Sequence, residues 1–237
     1  MLRISTGKPI YQGVWNDAVH VSEHKLLPIP LVNKLLLGFD FGRTPACIIG
    51  QLMPNGKLRV LRELIATSMG IRSFMDQSVI PCLKKDFPTF DIKDMEAYGD
   101  PSGVAKSGND ENSPIGILND EYKLTTYPTA TNIPLRRWES VNEFLMNTID
   151  GVQAFELSRC CEVLRKGFNG GYQFRRLNVS GEKYAEAADK NKFSHIADSL
   201  QYLAQGAQGE INYAWLDQHL ANSESNQSII ADSVSGY

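Results

Sequence analysis

Residues 35–65, LLLGFDFGRTPACIIGQLMPNGKLRVLRELI, hold three apolar runs parted by a Gly-Arg-Thr-Pro stretch and a Pro-Asn-Gly stretch. Apolar runs of this length bounded by turn residues read as strands. Asn-Gly between two such runs is the strongest short hairpin signal, because tight hairpin turns need positive φ and these residues tolerate it. The stretch therefore predicts a three-strand antiparallel meander. Alternation along its first strand puts Leu36, Gly38 and Asp40 on one face and Leu37, Phe39 and Phe41 on the other. Asp40 is the anomaly, since an unpaired carboxylate in such a run costs several kcal/mol or is forced to neutralise. Two readings are open: a strand-end Asp that meets solvent or Arg43, or a metal ligand kept ionised by a divalent cation.

The segments that follow alternate. GIRSFMDQSVIPCLKKDF (70–87) carries apolar residues at 71, 74, 75, 79, 80 and 83, one face of an amphipathic helix. DMEAYGD (94–100) reads as a strand, SPIGILNDEY (113–122) as a helix capped by Ser113, and KLTTYP (123–128) as another strand. PLRRWESVNEFLMNTID (134–150) is a helix with Pro134 in its first turn and a core stripe at Leu135, Trp138, Val141, Phe144 or Leu145, and Ile149. QAFELS and YQFRRLN are expected as short strands around a Cys-containing helical turn, and SHIADSLQYLAQGA (194–207) as a last helix capped by Ser194. The fold class is therefore α/β with a mixed central sheet flanked by helices. Residues 1–34, which lack periodicity, are expected to be an N-terminal arm or linker remnant, 35–220 the domain, and the polar, Ser-rich 221–237 a flexible C-terminal tail.

The 237 residues are 42% apolar and 22% charged with net charge −3, a globular composition that excludes non-specific coating of nucleic acid over the whole surface. Charge is uneven, however. Between Arg159 and Lys183, Arg159, Arg165, Lys166, Arg175, Arg176 and Lys183 face only Glu162 and Glu182, with Phe168, Tyr172 and Phe174 interleaved. This stretch reads as a polyanion track, against a plain solvated face. The four cysteines (47, 82, 160, 161) form no CxxC pair and are expected to be reduced thiols. No signal peptide and no run of about 18 apolar residues is present, so neither secretion nor a membrane span is expected. His20 and His24, at i, i+4 spacing, and His219 lack the framework of a zinc site. Neither GxxxxGK[ST] nor GxGxxG occurs, and no nucleophile elbow, so no ATPase site is expected in this chain.

Two more carboxylates stand out. Asp100 in YGDPSG ends a strand, where α/β folds place their sites, although Asp-Pro also opens turns. Asp198 in SHIADSLQYL shares a helix face with His195 and Tyr202, opposite the Ile196, Leu200, Leu203 stripe; that face is either solvated or covers a cleft.

Taken together, GFDFGRTPACIIGQ, YGDPSG and NKFSHIADSLQYL, in this order and spacing, resemble the nuclease domain of the large terminase subunit of tailed bacteriophages, over about residues 10–206. That family is RNase H-like, with the meander and the helix–strand alternation read above. The resemblance implies that Asp40, Asp100 and Asp198 are the catalytic acids holding two Mg²⁺ or Mn²⁺ ions about 3.5–4 Å apart, for hydrolysis of a phosphodiester by the two-metal route. It implies supporting or phosphate-contacting roles for Arg43, His195 and Lys183; the charge of the 159–183 stretch adds Arg165, Lys166, Arg175 and Arg176 as expected contacts to double-stranded DNA. The expected activity is an endonuclease that cuts concatemeric viral DNA during genome packaging in the host cytoplasm. The full family protein works with a portal and a small terminase subunit, and the nuclease domain alone is expected to be a monomer. The packaging ATPase module that precedes the nuclease in that family is not in this sequence, which implies that residues 1–34 are what remains of the connection. Two other readings stay open: a resolvase or transposase on the same fold, and a non-catalytic module that docks on DNA or the portal.

Overall fold

A computed structural model describes residues 7–30, 34–106, 112–177 and 183–209. The meander forms as read: β1 (Leu36–Asp40), β2 (Ala46–Leu52) and β3 (Leu58–Ile65) pair antiparallel in sequence order. Gly56 takes φ +89 in the Asn-Gly turn, and the loop is closed by Met53 N donating to Lys57 O at 2.9 Å. β4 (Glu96–Gly99) lies parallel to β1, β5 (Thr125–Pro128) parallel to β4, and β6 (Phe155–Leu157) parallel to β3. The six-strand order is thus β5-β4-β1-β2-β3-β6. β1 is central and paired on both sides, which explains why it reads as a continuous apolar run rather than an alternating one.

Each face of the sheet has its own core. Leu35, Leu37, Phe39, Cys47, Ile49 and Leu61 pack against the helix over residues 71–86. That helix is α-helical at both ends but widens to a π turn over Met75–Val79. The cause is Pro81: it has no N–H, and its ring would crowd the carbonyl four residues back, so one wide turn, in which Ile80 N donates to Met75 O, carries the helix past it. On the other face, Leu36, Ile48 and Val60 pack against α3 (Pro134–Met146) and the helix at residues 194–209. α2 (Pro114–Asp120) starts as expected, with Ser113 Oγ accepting from Gly116 N at 3.1 Å.

The last helix crosses β1 at Gly38. A Cβ there would lie 2.1 Å from Ser199 O and 2.7 Å from Leu203 Cβ, so only glycine permits this close an approach. Gly206 does the same against the Tyr98 ring.

Four expectations need correction. Residues 7–30 do not stand off the domain: Lys8–Pro9 pairs with Gln173–Arg176, Tyr11 and Leu26 are core residues, and Val21 bridges to Leu157. Leu135 is 58% exposed, because the first turn of α3 projects past the sheet, and buried Arg137 and Ser140 take its place on the inner face. The last helix is capped by Asn191, whose Oδ1 accepts from Phe193 N at 2.8 Å, while Ser194 is buried one residue inside. Phe168 and Tyr172 are core and do not interleave with the basic residues at the surface. Residues 221–237, read as a tail, and His219 lie outside the described residues.

Candidate active site

Gly38 sets the geometry of the site. The close approach it allows brings Ser199 Oγ within 3.1 Å of Asp40 N, which donates to it, and brings His195 Nδ1 within 2.8 Å of Asp40 Oδ2. Asp40 therefore finds its partner one helix away, and not in Arg43, whose side chain is exposed in the β1–β2 turn. Burial raises the Asp40 pKa above the usual carboxylate range; His195 counters this and the charge of Asp198 adds to it. His195 is raised in turn, mainly by its bond to Asp40, against a smaller lowering by burial.

Asp100 follows β4, whose parallel pairing with β1 puts both strand ends on one side of the sheet. It opens a turn and also reaches the last helix. Oδ1 accepts from Ser102 N at 2.8 Å and opens the turn at Pro101–Val104, while Oδ2 accepts from Tyr202 OH at 3.0 Å. Asn132 Nδ2 donates to the same carboxylate at 3.1 Å.

Asp198 is buried and does not meet solvent. Its Oδ1 takes Arg137 Nη1 at 3.2 Å and Tyr172 OH at 3.3 Å, and its Oδ2 takes Lys190 Nζ at 2.8 Å. Arg137 also donates to Tyr202 OH at 3.2 Å. A continuous chain of contacts thus runs from Asp100 through Tyr202 and Arg137 to Asp198 and Lys190, with the Asp40–His195 pair beside it. Burial alone would lower the Arg137 pKa, but Asp198 and the neighbouring groups outweigh it and raise it.

Among the described residues no three His, Cys, Asp or Glu side chains are grouped to hold one ion ready-made. The donor chemistry nevertheless suits a hard divalent cation: the carboxylates of Asp40, Asp100 and Asp198 each hold a side chain of the last helix or lie on it, and burial and like charge leave Asp40 short of positive charge. A cleft of about 910 Å³ between α3, β5 and the last helix contains none of the three acids.

The remaining sequence candidates divide. Arg165 is tied to Asp17 (Nε–Oδ1 2.8 Å) and Lys166 to Glu162 at 3.2 Å, both as surface pairs. Arg175 and Arg176 are exposed on the Gln173–Arg176 strand, three and four residues after Tyr172. Lys183 is exposed where the chain returns to pair with that strand. His20 is structural, bonded to Leu145 O and Asn16 N. Arg137, Tyr172, Lys190 and Asn132 were not visible as site residues, because only tertiary packing sets them on the acids. Arg137 left one trace in the sequence: an arginine on the inward side of an amphipathic helix, beside Trp138.

Comparison with family models and with characterised proteins gave no match. Solved structures do match. The large terminase of a thermophilic bacteriophage superposes with TM-score 0.59 at 13% identity, over 84% of this chain and 45% of its own length. The P22 large terminase nuclease domain superposes with TM-score 0.58 at 11% identity, over 84% of this chain and 92% of its own. The chain thus spans less than half of the thermophilic phage's terminase and nearly the whole of the P22 domain. No helix among the described residues is long and apolar enough to cross a membrane. This chain has the fold of the large-terminase nuclease domain, an RNase H-like mixed sheet flanked by helices.

Proposed function

We propose that this chain is a metal-dependent DNA endonuclease of the terminase type, which cuts phosphodiester bonds in double-stranded DNA during genome packaging. The observation that carries the reading is that Asp40, Asp100 and Asp198, far apart in sequence, are all tied to the last helix: Asp198 lies on it, Asp40 bonds His195, and Asp100 bonds Tyr202, which shares Arg137 with Asp198. Asp40, Asp100 and Asp198 would hold Mg²⁺ or Mn²⁺, two ions by analogy of fold. Bound there, the cations supply an activated water and charge stabilisation for the leaving oxygen. Asp40 is held rigid by β1 and its backbone N–H bond to Ser199. His195 fixes the orientation of that carboxylate and stands where it can hold or pass a proton at Nδ1. Lys190, whose side chain is 71% exposed, is free to swing from Asp198 toward a phosphate or solvent when a cation takes its place. Arg175, Arg176 and Lys183, on the exposed strands beside Tyr172, would receive the DNA backbone. Portal and small-subunit partners belong to the longer protein and are proposed with it.

The docking-module reading has one observation in its favour, since Arg137 and Lys190 already neutralise Asp198. Plasmid nicking separates the two. The nuclease reading expects Mn²⁺ to support conversion of supercoiled to open-circular and linear DNA, EDTA to stop it, and Mn²⁺ to raise the unfolding midpoint, the added unfolding free energy being about 2.7 kcal/mol at one hundred times its dissociation constant. No cleavage and no shift in millimolar Mn²⁺ would leave the docking module.

A further inference from the structure

Arg136 and Arg137 are adjacent on α3 and are used differently. Arg136 is exposed and pairs with Glu139 one turn on, an ordinary surface contact. Arg137 is turned inward: its side chain is 8% exposed, its guanidinium lies over the Tyr202 ring with 5.2 Å to the centroid, and Nη1 reaches Asp198 Oδ1 and Tyr202 OH, each at 3.2 Å. Its Nε is buried and finds no hydrogen-bond partner among the described residues. A buried guanidinium with an unused donor is a costly choice for balancing one carboxylate, and Lys190 already supplies a positive charge to Asp198 from the exposed side. What Lys190 cannot supply is the link to Tyr202, whose hydroxyl bonds Asp100 Oδ2 at 3.0 Å and Asn132 Oδ1 at 3.0 Å.

We propose that Arg137, acting through Tyr202, is the positioning residue that locks Asp198 and Asp100 into one unit and remains on Asp198 when a metal displaces Lys190. This rests on the nuclease reading above. Arg137 is buried, and its contacts are with Asp198 and Tyr202. It fixes the spacing of two carboxylates on different elements, and a misplacement of about 1 Å in such a set costs about a hundredfold in rate. Its charge also opposes the cation, so the same side chain raises the rate and weakens metal binding. Loss of a side chain of merely structural importance would weaken both.

The opposed effects give the test. Arg137→Met, Tyr202→Phe and the wild-type chain are compared by plasmid nicking across a Mn²⁺ titration and by calorimetry of Mn²⁺ binding without DNA, with thermal unfolding as the check on folding. For Arg137→Met the expected result is a maximal rate at least tenfold lower at saturating Mn²⁺, with Mn²⁺ bound at least threefold more tightly. Tyr202→Phe keeps the ring and every charge; it is expected to lower the maximal rate at least fivefold with Mn²⁺ affinity within twofold of wild type, and it decides the matter if Arg137→Met fails to fold. Arg137→Lys is expected to restore wild-type Mn²⁺ affinity but not the rate. Wild-type maximal rates in the variants overturn the proposal, as does weaker Mn²⁺ binding by folded Arg137→Met. A wild-type chain that binds no Mn²⁺ and cuts nothing overturns the nuclease reading and this proposal together, a result distinct from either of the others.

Discussion

Asp86 and Asp40 are carboxylates with similarly small exposed area, 17% and 13%, on opposite sides of the sheet; Asp40 is the more deeply enclosed, and the fold compensates the two in opposite ways. Asp86, at the end of the helix over 71–86, receives Arg62 Nε at 2.5 Å and Lys25 Nζ at 3.2 Å. Burial works to raise its pKa, yet the two cations outweigh burial and hold it below the usual value. Asp40 receives one histidine, faces the charge of Asp198, and is pushed up. The first is an ion pair complete within the protein, and the second a carboxylate left under-compensated. A fold that can neutralise a buried acid in one place and does not in another marks the second place as the one that awaits a ligand.

That contrast should separate activity from stability. Asp40→Asn is expected to lower Mn²⁺-dependent nicking by at least about a hundredfold while raising the metal-free unfolding free energy by up to about 1 kcal/mol, as relief of functional strain does. Asp86→Ala leaves Arg62 without its main partner and is expected to cost about 3 kcal/mol, with the per-folded-molecule nicking rate retained. Plasmid nicking together with urea unfolding in EDTA checks both, and an Asp40→Asn chain as destabilised as Asp86→Ala would remove the distinction.

Acidity sharpens it. Asp40 and His195 have raised values in the folded chain, so their contribution to stability is full below the unfolded values of about 4 and about 6.5 and is lost as pH rises through the folded ones. Asp86 has a lowered value, so its contribution is present above about 4 and is lost as pH falls through the folded one. Metal-free unfolding measured from pH 3 to about 8 should therefore show the neutral-side decline flattened by Asp40→Asn and the acid-side decline flattened by Asp86→Ala.

The smallest effects concern the basic residues. Arg175→Ala or Arg176→Ala is expected to weaken DNA binding about threefold and to reduce the salt slope by about 1 each, with stability unchanged. Arg165→Ala, which breaks a pair with Asp17, is expected to leave DNA binding unchanged. Filter binding in EDTA over a salt series reads both.

How much of this was legible beforehand follows the range of each interaction. The meander was readable because alternation and the Asn-Gly turn are local signals. Asp40 was readable because an isolated charge in an apolar run is a local contradiction. Asp198 was half readable: helix periodicity set it with His195 and Tyr202, but whether that face met water depended on α3, which no local pattern reports. The partners of the acids were unreadable for the same reason, since Arg137, Lys190 and Tyr172 come from three separate segments. The aromatics of the basic stretch were misplaced because charge and aromatics are counted along the chain while burial depends on the fold: Phe168 and Tyr172 face the core and Arg175 and Arg176 the surface. Residues 7–30 lack periodicity because single anchors hold them, Tyr11 in the core, His20 on Leu145 O and Leu26 on Ser158 Oγ, and not a repeating face.

The most direct test of the account is a crystal of this chain soaked in Mn²⁺ and measured at the manganese absorption edge. The expected result is anomalous density within coordination distance of Asp40, shared with Asp100 or Asp198, with Lys190 drawn away from Asp198. Full occupancy of the Lys190–Asp198 pair and no anomalous peak at Asp40 in millimolar Mn²⁺ would contradict it.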